Sequence, residues 1–439
     1  MTTPPTMTPA RTANTGPIWL FCALLVIAST ATWAAEREKV TLDQAIERAL
    51  RHNPQMVQSR GNQEVASAAE RTAAGNYLPS LSANANTSVG SGVRTSASAG
   101  PTTGAGVSLS YDLFTGLRRG AQQSQAEAQS STARAGLVQS SASVALAVEQ
   151  TFFENLRARE LEEVAQARVQ RAQQGLDAAQ RKQSAGSGTR SDVLRAELEK
   201  NTADRSLLDA RTQHETAAYA LGRQIGADGA VDADADAQTA MPPTQLDEEQ
   251  FVNEVLQASP EVRLAEASLQ SAQAGVQVAR SGYFPQLSLG AGYDWRWAAI
   301  AGTGAAVPGE NGWSVGLGLS YPLFDGFRRE ETATKARVQE SVATATLSDT
   351  RRAVRASVEQ LLGSLRLAHD QIGLSEKSVA VAEEDLRVQQ ERYRMGVTTM
   401  LELLTSQASL VEAQTNLAAA RFDYRIAYAT LLALAGRQP

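Results

Sequence analysis

Residues 116–185 and 326–395 each form a stretch of 70 positions without a proline. As single helices they would be about 105 Å long at 1.5 Å per residue, more than a compact domain accommodates. In the second stretch Val354, Val358, Leu361, Leu365, Ala368, Ile372, Ser375, Val379, Ala382 and Leu386 alternate spacings of four and three, which is a heptad seam. Residues 399–435 then repeat Leu403, Leu410, Leu417, Tyr424 and Leu431 every seven positions. Residues 55–76 and 189–225, placed end to end, give helices of roughly 33 and 55 Å, so they match one rod. These lengths predict a wall two helices thick. The composition agrees: 43% of residues are hydrophobic but only 5% are aromatic, so the helices must pack through small side chains.

The chain is one unit written twice. Tyr77-Leu78-Pro79 returns as Tyr283-Phe284-Pro285, Tyr111-Asp112-Leu113-Phe114 as Tyr321-Pro322-Leu323-Phe324, and Gly116-Leu117-Arg118-Arg119 as Gly326-Phe327-Arg328-Arg329. Gly186 matches Gly396 and Gly226 matches Gly436, so the halves should share one topology. The expected organisation is a first repeat over 35–226, a linker over 227–246 and a second repeat over 247–439. The linker, rich in Asp, Ala and Pro, reads as solvated. Within the repeats we expect strand pairs at about 80–113 and 286–323, long helices at 116–185 and 326–395, and return helices at 189–225 and 399–435.

In the strand regions the period drops to two. Leu287, Leu289, Ala291, Tyr293, Trp295 and Trp297 alternate with Ser, Gly, Asp and Arg, and after a Gly-rich loop Trp313, Val315, Leu317, Leu319 and Tyr321 alternate with Ser and Gly. Period two over about ten residues, with aromatics near the ends, is the pattern of a membrane-spanning β-strand. Trp295, Trp297, Trp313 and Tyr321 are the candidate interface aromatics; an ordinary soluble hairpin with core tryptophans is the competing reading. The first half repeats the pattern more weakly at 81–89 and 107–111, and residues 90–106 read as a loop facing the outside medium.

Residues 1–34 read as a secretory signal peptide, with the apolar run 18–27 and Thr32 and Ala34 fitting the positions before cleavage. Cys22 lies inside that run, so lipidation is not expected. Cys22 is the one cysteine, and His52, His214 and His369 are far apart, so neither a disulfide nor a Cys/His metal site can be built within one copy. A net charge of -6 gives no reason to expect nucleic acid. Neither a catalytic constellation nor a cofactor motif is present, and no enzyme activity or cofactor is expected.

Strand pairs followed by YDLFTGLRRG or YPLFDGFRRE, the turns AGSGTRSDVLRAE and RYRMGVTTMLELL, and the twofold repeat together resemble the TolC family of outer-membrane efflux and secretion channels. The resemblance covers residues 40–436. It implies a mainly α fold with a small transmembrane β part: a homotrimeric periplasmic α-barrel continuous with a 12-stranded β-barrel, four strands per chain. Four strands do not close a barrel, and eight would be filled by their own side chains.

The resemblance further implies an outer-membrane exit duct of a tripartite efflux pump or type I secretion system. Its partners would be a periplasmic adaptor (membrane fusion) protein, a proton-driven or ABC inner-membrane transporter, and outer-membrane lipid. Asp192 and Tyr393 would form a latch at the periplasmic tip and Glu402 an acidic pore ring, with Thr398 standing where a latch arginine would be and Arg190 close by. Thr405 stands where a second acidic ring would be. As residues alone, Asp192 and Glu402 also read as first-turn acids that favour a helix dipole. Gly186, Gly188, Thr189, Gly396, Val397 and Thr399 would form the tips that meet the adaptor, although their glycines also suit a plain tight turn. A structural or adhesive coiled-coil envelope protein is the alternative, needing the helices but not the strands.

Overall fold

The computed structural model describes residues 37–88, 102–234, 248–299, 306–308 and 311–436. The signal segment, most of the first inter-strand loop and the second part of the linker lie outside them. The chain divides into Met1–Glu38 and Lys39–Pro439, and the fold concerns the second unit.

Its elements are β1 (Glu38–Val40), α1 (Leu42–His52), α2 (Pro54–Gly75), β2 (Ser80–Ser88), β3 (Thr102–Phe114), α3 (Arg118–Ser184), α4 (Arg190–Ile225) and β4 (Val231–Ala233). The second repeat has α5 (Glu248–Ala258), α6 (Pro260–Ser281), β5 (Gln286–Ala299), β6 (Ala306–Pro308), β7 (Gly312–Ser320), α7 (Arg328–Met395) and α8 (Met400–Leu434). Each repeat starts with a short helix stopped before a proline, which then occupies the first turn of the next helix. Thr41 caps α1 with a reciprocal bond to Gln44.

Helices α3 and α7 contain 67 and 68 residues, about 100 Å each. They stand in a wall: α2 and α4 flank α3, then α6 and α8 follow, and α7 is the far edge. The seam of α7 is buried at Val354, Val358, Leu362, Leu365, Ala368, Ile372 and Leu386. At one step Leu362, rather than the expected Leu361, takes the inward position, and Leu361 is half-buried beside it. Alanines occupy much of the remaining contact on α3 and α4, among them Ala172, Ala179, Ala196 and Ala203. Small side chains let the helices approach closely where no aromatics are available.

Residues 227–246 are not wholly a solvated linker. Val231 and Ala233 are buried, and β4 pairs with β1. Asp234 N–H donates to Val40 O at 2.9 Å, and Asn155 Oδ1 accepts from Ala233 N–H at 2.9 Å. Two apolar residues on one face of Val-Asp-Ala are enough to fasten the start of the segment to α3, while the intervening Asp232 lies 3.3 Å from His214.

Strands β2, β3, β5 and β7 form one antiparallel sheet. Part of the expected Gly-rich loop is strand as well: β6 pairs with the far end of β5, in line with β7. The first loop is also shorter than expected, because β3 begins at Thr102. Gly106 lies close under the next strand: a Cβ there would sit 2.6 Å from Asp294 Oδ1, so that side chain would have to move. The loop reading failed because residues 102–106, though small and polar, pair with β2 on one side and β5 on the other.

Candidate functional site

The register sorts the sheet into two unlike faces. Leu81 stands opposite Leu109, Leu109 opposite Ala291, and Ala291 opposite Val315; Tyr293 lies between Val107 and Trp313. Trp295 and Trp297 share that face, and Leu287 and Leu289 continue it toward the helices. The other face carries Ser82, Asn84, Ser108, Asp294, Arg296, Ser288 and several glycines. The apolar face is uncovered within the chain: Trp313 is 78% exposed and Leu319 74%. Water cannot be the solvent of such a face, whereas it suits the other.

Between the rows of Leu287 and Trp297 lie ten residue steps of β5, about 34 Å along the strand and about 24 Å when tilted by 45°. That is the height of a bilayer's apolar band. Trp295, Trp297 and Trp313 lie at the end away from the helices, and Tyr321 lies one residue beyond β7 at the helix end. Among the described residues β2 and the β6–β7 line each keep one unpaired edge. An open edge in hydrocarbon is untenable, so closure falls to further strands. No helix among the described residues is long and apolar enough to cross a membrane.

At the opposite end α3 turns into α4 and α7 into α8. Gly186 and Gly396 adopt φ of 74° and 79°, the left-handed region in which glycine is unstrained. The N–H groups of Ser187 and Val397 reach back to Lys182 O and Arg392 O, each at 2.9 Å, closing both helix ends alike. Gly188 must be small, since a Cβ would lie 2.9 Å from that of Lys182. Thr189 and Asp192 cap α4 reciprocally, with Thr189 Oγ1 donating to Asp192 at 2.7 Å. Thr399 Oγ1 accepts the Glu402 N–H at 3.3 Å, and the Thr398 hydroxyl donates to the Glu402 carboxylate.

The two tips meet. Leu176, Ala179, Ala196, Leu386, Tyr393, Met400 and Leu403 form one apolar cluster drawn from all four helices. Tyr393 is 6% exposed. Its hydroxyl pKa is raised, first by burial and then by the nearby negative charge of Asp192. Asp192 and Tyr393 are therefore neighbours, although no hydrogen bond joins them among the described residues. Arg190 is exposed and has no ion-pair partner among them, and Arg394 pairs with Glu391 at 3.2 Å.

The cation that bridges the tips is Lys182, which sequence reasoning missed. Its ammonium donates to Tyr393 O and lies 4.1 Å from the centroid of the Tyr393 ring. It sits at the C-terminal end of α7, where the helix dipole favours positive charge. The only sequence signal was a lysine in the last turn of α3.

Among the described residues no group of three or more His, Cys, Asp or Glu side chains is placed to hold a metal ion. His214 has carboxylates on both sides, Glu162 at 2.8 Å and Asp232 at 3.3 Å.

Comparison with known proteins covers both repeats. The family model described as outer membrane efflux protein matches residues 45–227 and again 251–437, one match for each repeat. Outer membrane efflux protein BepC of Brucella suis is 24% identical over 421 residues, covering 95% of this chain and 90% of its own. Protein CyaE of Bordetella pertussis is 27% identical over 413 residues, covering 91% and 84%. Among solved structures, the outer membrane protein VceC of Vibrio cholerae superposes with a TM-score of 0.76 at 19% identity, covering 91% of this chain and 97% of that one. CusC gives 0.78 at 17% identity, covering 94% and 96%. The open state of the MtrE outer membrane channel of Neisseria gonorrhoeae gives 0.75 at 22%, covering 90% and 89%. With the family model spanning both halves, the chain belongs to the outer membrane efflux protein family, the outer-membrane channels of efflux and secretion.

Proposed function

We propose that three copies of this chain close into a passive duct whose twelve strands cross the outer membrane and whose helices extend it through the periplasm. The observation that carries this reading is the two-faced sheet, apolar outside and polar inside, which passes directly into rods about 100 Å long. The edges of the wall support the assembly. On α7, Leu367, Leu374, Val381, Val388 and Met395 are exposed at intervals of seven, and on the opposite edge α4 exposes Leu194, Leu198, Leu208 and Tyr219. The two stripes run in opposite chain directions over similar lengths, so one copy's α7 fits beside the next copy's α4 in a closing ring.

In this reading Trp295, Trp297 and Trp313 anchor the outer end of the membrane band and Tyr321 the inner end. The tips form the gate. Asp192 and Tyr393, with Lys182 between the hairpins, restrain it; Glu402 lines it, with Thr398 orienting its carboxylate; and Arg190 is available to carboxylates of a neighbouring copy. The turns at Gly186, Gly188, Thr189, Gly396, Val397 and Thr399 receive a periplasmic adaptor. Exposed Val397 and Leu401 supply apolar contact there. The adaptor joins the duct to a proton-driven or ABC inner-membrane transporter.

Purified protein in planar bilayers should show steady, cation-selective conductance. A folded, membrane-inserted assembly that stays silent even with the tip loosened by substitution would leave only a structural or adhesive coiled-coil role.

A further inference from the structure

We propose that the joint between β3 and α3 binds the phosphate of a membrane phospholipid through Arg119, once per chain, on the helix side of the bilayer. The Arg119 guanidinium lies 5.1 Å from the Tyr111 ring centroid and 5.7 Å from that of Tyr77. Tyr111 stands opposite Leu289 on the apolar face of the sheet, so this charge sits at the inner end of the lipid-facing surface. Exposed Leu113, Phe114 and Leu117 beside it offer contact for acyl chains.

The duplicated joint is an internal control. Arg329 takes the corresponding place, 5.4 Å from the Tyr283 ring, but Asp325 Oδ2 neutralises it at 2.9 Å. The residue matching Asp325 is Thr115. Arg119 donates to the backbone oxygen of Asp112, and no carboxylate among the described residues lies within ion-pairing distance. The first turns differ in the same sense: that of α7 carries Glu330 and Glu331, whereas that of α3 has no acid beside Arg118 and Arg119. Two cations at a helix N-terminus oppose its dipole, so the first joint repels cations and attracts anions where the second is balanced. A guanidinium at a membrane boundary needs a counter-ion, and its planar fork fits a phosphate. The nearest phosphates at that depth are phospholipid headgroups.

The site rests on the membrane placement of the sheet and not on conduction, so a channel that conducts without binding lipid would remove this proposal alone. The test is native mass spectrometry of the detergent-purified assembly with phosphatidylglycerol, with diacylglycerol and inorganic phosphate as separate probes. Wild type should retain up to one phosphatidylglycerol per chain. Arg119→Gln should weaken retention on the order of tenfold or more, the loss of one charge-assisted contact. Thr115→Asp should weaken it similarly by supplying the missing carboxylate. It should preserve the fold, because Arg119 N–H already donates to Thr115 Oγ1 at 3.3 Å as Arg329 N–H does to Asp325 Oδ2 at 3.1 Å. Arg329→Gln should bind as wild type. Wild-type retention in both Arg119→Gln and Thr115→Asp would overturn the proposal. Equal retention of diacylglycerol would make the site merely apolar, and displacement by inorganic phosphate would make it a free-anion site; either outcome also overturns it.

Discussion

Glu149 is 4% exposed in α3, in sequence between the buried residues Val148 and Phe152, and burial raises its pKa to about 7. The fold thus favours the protonated form. Stability from this group is fully present below the unfolded value of 4.5 and is lost as pH rises through about 7. Glu149→Gln should raise thermal stability at pH 8 by an amount equivalent to about 3 kcal/mol or less, and the difference from wild type should vanish near pH 4. Equal melting temperatures at pH 8 would mean the carboxylate is solvated. Glu402→Gln asks a different question. Three carboxylates around a narrow axis would focus a negative potential, so the variant should lose cation selectivity and block by multivalent cations while keeping its assembly. Unchanged selectivity would leave Glu402 with only its place in the first turn of α8. At this scale the sequence was partly legible. Asp192 and Tyr393, expected from the turn motifs to lie together, are neighbours, whereas Lys182 acts on a backbone oxygen and a ring face 211 positions away. A contact of that kind imposes no residue pattern.

Elements were read more reliably where periodicity was long. The rods of α3 and α7 end within a few residues of the expected limits, because a proline-free run bounded by glycine turns leaves little choice. Three-residue strands have no such signal: β4 contributes only Val231 and Ala233 to the core and lies in an acidic, alanine-rich stretch. The inward step at Leu362 was missed because Leu361 satisfies the same spacing, and only packing distinguishes them. The exposed stripe of α7 also follows a heptad, but the sequence does not say which of two apolar stripes faces the same chain. Leu374→Lys with Val381→Lys should therefore leave the helical spectrum of the chain intact while dissociating the assembly. Each side chain forgoes about 1.5–3 kcal/mol of burial at each contact between copies. Size-exclusion chromatography with light scattering would measure this. An undisturbed assembly would place that stripe in water.

At the scale of the whole molecule, the tip cluster joins the two hairpins at the end of the rods away from the sheet. Lys182→Met removes the bridge between hairpins and should raise single-channel conductance or open probability severalfold, with selectivity little changed. Tyr393→Phe keeps both the ring and the backbone oxygen that Lys182 contacts, so it should open the channel less than Lys182→Met. The combination Tyr393→Phe with Asp192→Ala measures what the hydroxyl and carboxylate add. If Tyr393→Phe alone matched Lys182→Met, the phenol oxygen and not the lysine would be the restraint.

The matched length of the two rods, 67 and 68 residues between corresponding turns, makes the molecule a ruler. One residue inserted into α3 would advance its end by 1.5 Å and rotate every later side chain by about 100°, while α7 stayed in place. The seam would be lost and the two turns would no longer lie level. Whole heptads restore the rotation but still shift the height by about 10 Å. Only matched insertions in both repeats, in descending and returning helices together, would keep the end flat. Chains of this build should therefore change length in paired multiples of seven or not at all, and the reach of the helices beyond the membrane is written into them as a residue count.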